Sequence, residues 1–599
     1  SLTGIAGAFA AWEGIINAGI RLYVRALDFV LAHRGSVIGG AFCLLVIIIV
    51  LLVPSMRRDF FPEVDSGAFE IAVRAPSGTR IENTEQIIKK VDLFVRDTIP
   101  KKDLQIVIAE LGVSSDWSAA YTPNSGPMDA VVKVQLNEHR AHSAEEYIRL
   151  LRQGFKTHPN FAGLDFSFDS GGLVRGALNE GKSSPINIQI VGKKQKPLFI
   201  LADMILESVG SGKVRGVADA RKLQRDNAPE LRIVVDRTAA SNLGLSQEDI
   251  MKNVIAATNS SATFNKKNIW FDNRGGNQYY VGVQFPSKEF QSKDDILNIQ
   301  VTSPKQGKSI PLSLVASIVD GNVPTDVHHV NFQPALDLTM NVEGVDLGHV
   351  SNDVAEVLDQ FGKRNRAGSW TPYDPAYLVR DKDGFTYSNP RAPEGAEPKY
   401  LEGSKLILTG EYTRMQDTFK YMGFFLVLAA VLIYFLMVAL DKSFLAPLSV
   451  MMIVPLCLIG ILPMLWLTGS AINVQSMLGF IFIVGIQVAN TVLMTDYAQE
   501  LRRHEGLSAV EAIRKAAALR VRPITMTALA AFFAMLPTAL SLERGGEANA
   551  PLARAILGGL IAGEPATLFV LPAIYAFLFR DKKPAREHHV EAHPPTQLI

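Results

Sequence analysis

Four polar side chains stand in stretches that are otherwise apolar: Gln487, Asn490 and Thr491 in the run Ser476–Thr495, and Glu564 in the run Leu552–Phe579. On a helix, positions three and four apart share one face, so the first three line up together. The run Pro523–Leu542 adds Thr525 and Thr527. Polar groups at lipid depth turn toward a bundle interior or a water-filled path, and an ionised carboxylate at a helix centre costs roughly 2.5–3.5 kcal/mol on insertion scales. Gln487 and Glu564 both fall near the middle of their runs. Such a set can hold and release a proton, with Glu564 as carrier and Gln487 and Asn490 as hydrogen-bond partners. Packing without transport duty is the plain alternative. Pro565 removes a backbone donor beside the carboxyl and loosens the helix ladder there. Gly558, Gly559 and Ala562 let a neighbouring helix approach closely.

A second set is aromatic. Trp117 and Tyr121 lie in a loop with Pro123, Gly126 and Pro127, before a strand, where large rings are not obviously core. Phe166 and Phe168 alternate on the strand Leu164–Phe168, a pattern that also suits core packing. Aromatic pockets with a few polar groups take apolar ligands. Other motifs carry less. Residues 176–183 spell a phosphate-binding loop, but Pro185 and a strand pattern follow where the mechanism needs a helix. His328 and His329 are neighbours on a strand and point to opposite faces, so they do not share a metal. His588, His589 and His593 lie in a polar tail, and Met128, Met204, Met251 and Met340 are scattered. Cys43 and Cys457 sit in apolar runs as small hydrophobes. No cofactor and no metal site are expected.

These residues need helices across a bilayer and strands outside it. The chain has 599 residues, 48% hydrophobic and 20% charged. Its 60 Lys+Arg against 59 Asp+Glu lack the basic excess of a nucleic-acid binder. A membrane helix needs roughly 20 mainly apolar residues. Six runs qualify: Gly35–Met56, Tyr421–Leu440, Phe444–Leu467, Ser476–Thr495, Pro523–Leu542 and Leu552–Phe579. With the N-terminus inside, fourteen Lys and Arg fall in the inner pieces and only Arg544 in the short outer ones. That bias puts the long segment between the first two spans outside and the C-terminus inside. Residues 13–32, with Ile15, Ile16, Ile20, Leu22, Val24 and Leu27, read as an amphipathic helix on the inner surface.

The long segment reads as repeated strand–helix units. Phe69, Ile71 and Val73 alternate, Ile87, Ile88, Val91, Phe94 and Val95 take helical spacing, and Val132, Val134 and Leu136 alternate again. Ser143 and Glu146 form a capping box before the next helix, and Leu164–Phe168 closes the unit. The pattern restarts at Ile186, Ile188 and Ile190, with a helix at 197–209 and a strand near Val217. It returns at Leu336, Leu338 and Met340, runs through a helix with Val350, Val354, Val357 and Phe361, and ends on the strand Lys405–Leu408. The expected fold class is an α+β membrane protein: six transmembrane helices with two split-βαβ, ferredoxin-like lobes, at 57–183 and at 184–223 with 335–417. Residues 224–334 interrupt the second lobe as a docking subdomain, whose segments Asn268–Phe271 and Gln278–Phe285 form a hairpin. Residues 1–34 are a connector, 35–56 the first span, 418–579 the other five spans and 580–599 a tail. Residues 363–403, rich in Pro, Gly and charge, read as a long flexible loop.

This order of parts resembles the C-terminal half of a resistance-nodulation-division (RND) efflux permease of the acriflavine-resistance-like multidrug exporters. Asp59-Phe-Phe-Pro-Glu-Val-Asp65-Ser-Gly67 and Ala75-Pro-Ser-Gly-Thr79 resemble the stretch after the family's seventh helix. Tyr434-Phe-Leu-Met-Val-Ala439, with Pro447 and Pro455, resembles helices eight and nine. Val484-Gly-Ile-Gln-Val-Ala-Asn490 is similar to helix ten, and Arg520-Val-Arg-Pro-Ile-Thr-Met-Thr527 to the start of helix eleven. Gly545-Gly-Glu547 and Leu568-Phe-Val-Leu-Pro572 match the two ends of helix twelve. No single motif is decisive; their order and spacing are.

The resemblance implies a bacterial inner-membrane pump with periplasmic porter lobes, not an enzyme. It implies a homotrimer or pseudo-symmetric trimer, driven by proton influx, working with a periplasmic adaptor protein and an outer-membrane channel on hydrophobic or amphiphilic small-molecule substrates. By match, Asn490, Arg520 and Thr527 sit where relay-supporting residues lie, beside Gln487, Thr491 and Glu564. The loop with Trp117 and Tyr121 matches the gate between the entrance and deep pockets, and Phe166 and Phe168 match positions near the entrance pocket. The family permease has two halves of six helices. This chain supplies the second and begins at Ser1 in what resembles the connector, so a fragment or split subunit needing an N-terminal half is expected. The family's proton-binding carboxylates lie in helix four, absent here, and its helix-ten Lys is replaced by Ala489. Two alternatives stand: a heavy-metal exporter, which wants three converging Met or acidic ligands, or a half-permease that does not transport alone. A membrane-anchored NTPase or hydrolase finds no supporting motif.

Overall fold

The computed structural model describes residues 18–112, 126–170, 184–258, 268–282, 285–286, 289–303, 307–381, 384–390, 393, 396–542 and 545–579. Two compact units divide the chain: one is Pro76–Arg80 with Gln224–His328, the other the remainder.

Among the described residues of the larger unit, six helices are long and apolar enough to cross a membrane: α1 (Arg34–Ser55), α6 (Glu411–Asp441), α7 (Leu445–Leu467), α8 (Val474–His504), α9 (Ala509–Leu540) and α10 (Ala550–Leu578). Between α1 and α6 this unit carries two sheet-based lobes. The first lobe runs β1 (Ala68–Arg74), α2 (Ile81–Thr98), β2 (Leu104–Leu111), β3 (Asp129–Leu136), α3 (Ala144–Thr157) and β4 (Asp165–Asp169). Its sheet order is β2-β3-β1-β4, with every neighbour antiparallel. Ile71 lies opposite Val132 on one side and Phe168 on the other. That face buries Val91 and Val95 of α2 and Leu151 and Phe155 of α3. Ser143 and Glu146 close both hydrogen bonds of a capping box at the start of α3.

Strand β2 has no counterpart in the sequence reading. Its run Ile106-Val107-Ile108-Ala109 hides any alternation, because it is the sheet edge and leaves Ile106 and Ile108 exposed.

The second lobe uses β5 (Ile186–Val191), α4 (Gln195–Ser208), β6 (Val217–Lys222), β7 (Gln333–Val342), α5 (Leu347–Asp359), β8 (Gly362–Arg364), β9 (Trp370–Pro372) and β10 (Lys405–Gly410). β6 pairs with β7, and the sheet continues β7-β5-β10-β9-β8. Here the expectation of a flexible loop over 363–403 is corrected. Within it, β8 and β9 extend the sheet, and Leu378–Asp381 pairs with Gly384–Tyr387 as a hairpin. Trp370 is 1% exposed in the lobe core, and its indole donates to Asp359 Oδ1 at 2.6 Å. Strands of three or four residues are too short to show a period, and the buried side chains of Trp370, Leu378 and Phe385 anchor them instead.

The helix at residues 18–32 buries Tyr23, Leu27 and Leu31 against α8, α9 and α10 rather than lying free on a surface. Tyr23 Oη donates to Leu568 O at 2.9 Å. Ile15 and Ile16 lie outside the described residues.

The smaller unit pairs strands Ala228–Val235 and Ala316–Val323 antiparallel. Its core gathers Leu245, Ile250, Val254, Val301, Leu312 and Val315. Its hairpin pairs Asn268–Phe271 with Gln278–Val281 among the described residues and leaves Trp270 and Phe271 exposed.

Candidate functional site

Glycine sets how closely the bundle packs. A Cβ on Gly460 of α7 would fall 2.0 Å from Gly558 O of α10, and one on Gly559 would fall 2.6 Å from Ile483 of α8. Such approach is what small residues permit between membrane helices. One turn further along α10, Gly563 lets Gln487 lie across it, since a Cβ there would stand 2.6 Å from Gln487 Nε2 and 3.1 Å from Cys457 Sγ.

Against that surface sits a buried polar cluster. Glu564 Oε1 accepts from Asn490 Nδ2 at 2.9 Å and from Gln487 Nε2 at 3.2 Å. Thr567 Oγ1 donates to Gln487 Oε1 at 2.9 Å, and Thr527 Oγ1 to Asn490 Oδ1 at 3.3 Å. Gln487, Thr491 and Thr567 are fully buried, Asn490 and Glu564 nearly so. Glu564 Oε2 is buried with no partner among the described residues. The arrangement therefore accommodates both protonation states: two amide donors serve Oε1 of an ionised carboxylate, and a proton on Oε2 displaces no existing bond. Directly after Pro565, residues Ala566–Val570 form a π-helical turn, a local loosening that often marks functional sites.

The other proposed relay residues stand apart. Thr491 Oγ1 bonds back to Gln487 O at 2.7 Å, and Thr525 Oγ1 to Val521 O at 2.8 Å. Arg520 lies 5.2 Å from the Tyr497 ring centroid and touches none of the cluster. Ala489 is exposed, unlike its neighbour Asn490. Sequence reading missed Thr567, although its place three residues after Glu564 puts it on the same helix face.

A second site lies between the two lobes. A cavity of about 300 Å³ is lined by Phe155, Phe161, Phe166, Phe168, Arg152 and Arg221, among others. Phe155 and Phe166 stack at 4.2 Å, and Phe168 is 4% exposed, so both phenylalanines singled out from the sequence serve core and cavity at once. Arg152 forks onto Asp219 at 3.0 and 2.9 Å, and its guanidinium lies 4.9 Å from the Phe168 centroid. Asn341 Nδ2 joins the lobes by donating to Phe168 O at 2.7 Å and to Asp219 Oδ2 at 3.0 Å. Arg221 is 9% exposed, and its Nε and Nη1 have no partner among the described residues. Burial pushes its pKa down to about 10, with Arg74 adding to the effect, so it remains a cation near neutral pH. Trp117, Tyr121 and residues 176–183 lie outside the described residues. Among those described, no group of three or more His, Cys, Asp or Glu is placed to hold a metal ion.

Among the described residues, six helices long and apolar enough to cross a membrane, with two sheet-based lobes set between the first and second, fit the architecture of an RND permease. The chain belongs to the AcrB/AcrD/AcrF family, which it matches over residues 3–369 and 397–579. It is 24% identical over 568 residues to multidrug resistance protein MdtC of Escherichia coli K12 (strain DH10B), covering 93% of this chain and 48% of that protein. The same figures hold for MdtC of Escherichia fergusonii. Its fold is that of a heavy metal efflux pump. Crystal form II of that pump gives a TM-score of 0.73 at 23% identity over 94% of this chain and 53% of the other, and form I gives 0.73 at 22% over 94% and 52%. The chain spans about half the length of the relatives it matches.

Proposed function

We propose that this chain is the C-terminal half of a proton-driven efflux permease of the bacterial inner membrane, exporting hydrophobic or amphiphilic compounds. The observation that carries the reading is Glu564, buried in the bundle on two amide donors with its second oxygen open to a proton. In this reading Glu564 carries the proton, and Gln487 and Asn490 hold it in place. Thr491, Thr527 and Arg520 support the path, Arg520 from a distance. The basic bias orients the lobes toward the periplasm. An N-terminal half, carried on the same or another polypeptide, supplies the helix-four carboxylates. The assembled pump is a homotrimer or pseudo-symmetric trimer that works with a periplasmic adaptor protein and an outer-membrane channel.

Substrate binds in the cavity between the lobes. Phe166, Phe168 and their ring neighbours supply apolar contact, Arg221 favours amphiphiles that bear an acidic group, and Trp117 and Tyr121 act as the gate. Heavy-metal export is the second reading, because the solved pump sharing this fold is a heavy metal efflux pump. The cavity favours the organic substrate: its described lining carries four phenylalanines and no Met, Cys or His, and of its two carboxylates, Asp165 and Asp219, the second is taken by Arg152.

Co-reconstitution with an N-terminal half tests the proposal. Vesicles holding both halves should extrude an amphiphilic anionic dye when a pH gradient is applied, and Arg221→Gln should lower that rate more than the rate for a neutral dye. Efflux by this chain alone, or an unchanged dye preference in the variant, would contradict it.

A further inference from the structure

Gly559, Gly563 and Glu564 turn one side of α10 to α8. On another side, a groove of about 560 Å³ runs between α10, α7 and α1, and every described residue lining it is apolar. Its cause is the small residues Gly460, Gly558 and Ala562, which let the two backbones meet and carry no side chain to fill the space above the contact. Along α10 the lining runs from Gly558 to Val570, about 18 Å at 1.5 Å per residue. The hydrocarbon of one leaflet is about 15 Å deep, half of a core about 30 Å thick. A volume of 560 Å³ over that length leaves a cross-section of about 30 Å². A helix is about 10–12 Å across with its side chains and needs about three times that section. The groove has the length and width of one acyl chain.

Cations stand at one end of it. Phe569, in the groove wall, meets Tyr23 with ring centroids 5.4 Å apart, so the helix at residues 18–32 closes that end. This helix buries Tyr23, Leu27 and Leu31 on the bundle. Leu22 and Phe29 are exposed on one free flank, and Arg21 and Arg25 on the adjacent one. That division suits a helix lying in the membrane interface, its apolar flank in the acyl layer and its cations at headgroup level. Asp28, the acidic residue of this helix, is already taken by Arg514 Nη2 at 3.0 Å. Arg34, where α1 begins, donates Nη1 to Ala576 O at 2.8 Å. It lies seven residues from Ala41 in the groove wall, and Ala576 lies seven from Phe569. Both counts put the Arg34 guanidinium about 10 Å beyond the groove, along the helix axes.

We propose that this groove and the helix at 18–32 form a binding site for an anionic phospholipid, with one acyl chain between α1, α7 and α10 and the phosphate on Arg21, Arg25 and Arg34. Charge selects the lipid: three cations at one end of an apolar groove match a headgroup of net negative charge, whereas a zwitterionic headgroup brings a cation of its own. Pro565 and Ala566 belong to the wall, so the seated chain lies against the turn that follows Glu564. The inference rests on reading α1, α7 and α10 as membrane spans, and on neither proton coupling nor export. The basic bias makes the donor leaflet the inner one.

Native mass spectrometry of the full chain, released from detergent micelles after titration with dioleoylphosphatidylglycerol or dioleoylphosphatidylcholine, tests the site without any transport assay. One phosphatidylglycerol per chain should be held about tenfold more tightly than phosphatidylcholine. Arg21→Gln combined with Arg25→Gln should reduce that preference to about twofold or less. Ala41→Trp, which fills the groove, should weaken retention of phosphatidylglycerol about tenfold with the helical circular dichroism of the wild type. If Ala41→Trp does not fold, Ile561→Trp on the α10 wall supplies the same measurement. Equal retention of the two lipids, a preference that survives loss of both arginines, or full retention in the filled groove would overturn the proposal. So would displacement of the lipid by an added N-terminal half, or by dimers of this chain that Ala41→Trp abolishes, because the groove would then belong to a protein partner.

Discussion

Asn490 on α8 and Glu564 on α10, 74 positions apart in the chain, meet in a buried 2.9 Å hydrogen bond. Thr527 Oγ1 of α9 lies 3.3 Å from the Asn490 amide oxygen and 2.8 Å from Ile524 O, so α9 reaches the carboxyl only through Asn490. A buried acceptor that loses a donor costs about 1–3 kcal/mol, which makes this contact consequential for packing as well as for protons.

Glu564→Gln keeps an acceptor for Asn490 and removes the proton site. In the complete pump it should leave assembly and thermal stability unchanged while lowering proton-coupled efflux about tenfold or more and flattening its pH profile between 5.5 and 8. Normal efflux across that range would end the carrier role. Asn490→Ala should instead cost about 1–3 kcal/mol in unfolding measurements, because Glu564 Oε1 keeps a single amide donor.

Helix approach gives a purely structural expectation. Gly460→Val and Gly558→Val place methyl groups against the facing backbone, where a Cβ alone falls within 2.0 and 2.5 Å of a carbonyl oxygen. Each should destabilise the bundle by about 1–3 kcal/mol or more. Gly485→Ala meets nothing within 4 Å and should be neutral or slightly stabilising. Equal melting temperatures for Gly460→Val and Gly485→Ala would mean that α7 and α10 do not pack this way.

Trp370→Ala should cost about 3–5 kcal/mol, as truncating a core aromatic does, and should make residues 363–403 sensitive to limited proteolysis. A passive surface loop would tolerate the change, so the comparison of unfolding midpoints decides between the two.

Sidedness is measured most directly at the exposed hairpin turn. Asn273→Cys should react with a membrane-impermeant maleimide once the outer membrane is opened. Reaction that waits for disruption of the inner membrane would place the large segment between α1 and α6 in the cytoplasm.

The six apolar helices, and the common face of Gln487 and Asn490, were legible in the residues, because membrane insertion and helical spacing are local properties of a short run. The first lobe's central strands were legible for the same reason: one face is buried, and Phe69, Ile71 and Val73 alternate. Strand β2 was not, because an edge strand leaves apolar residues such as Ile106 exposed and breaks the link between apolar character and burial. Residues 363–403 were misread because three scattered buried residues, Trp370, Leu378 and Phe385, and short pairings hold them, and neither leaves a period. The match to relay positions drew attention to Arg520, which packs on Tyr497, and passed over Thr567, whose partner lies 80 positions away. Arg221 looks in the sequence like any strand cation. That its guanidinium is buried beside four phenylalanines follows only from the meeting of two lobes. Periodicity and composition determine which segments form and which face they bury; distances between segments far apart in the chain are decided by packing.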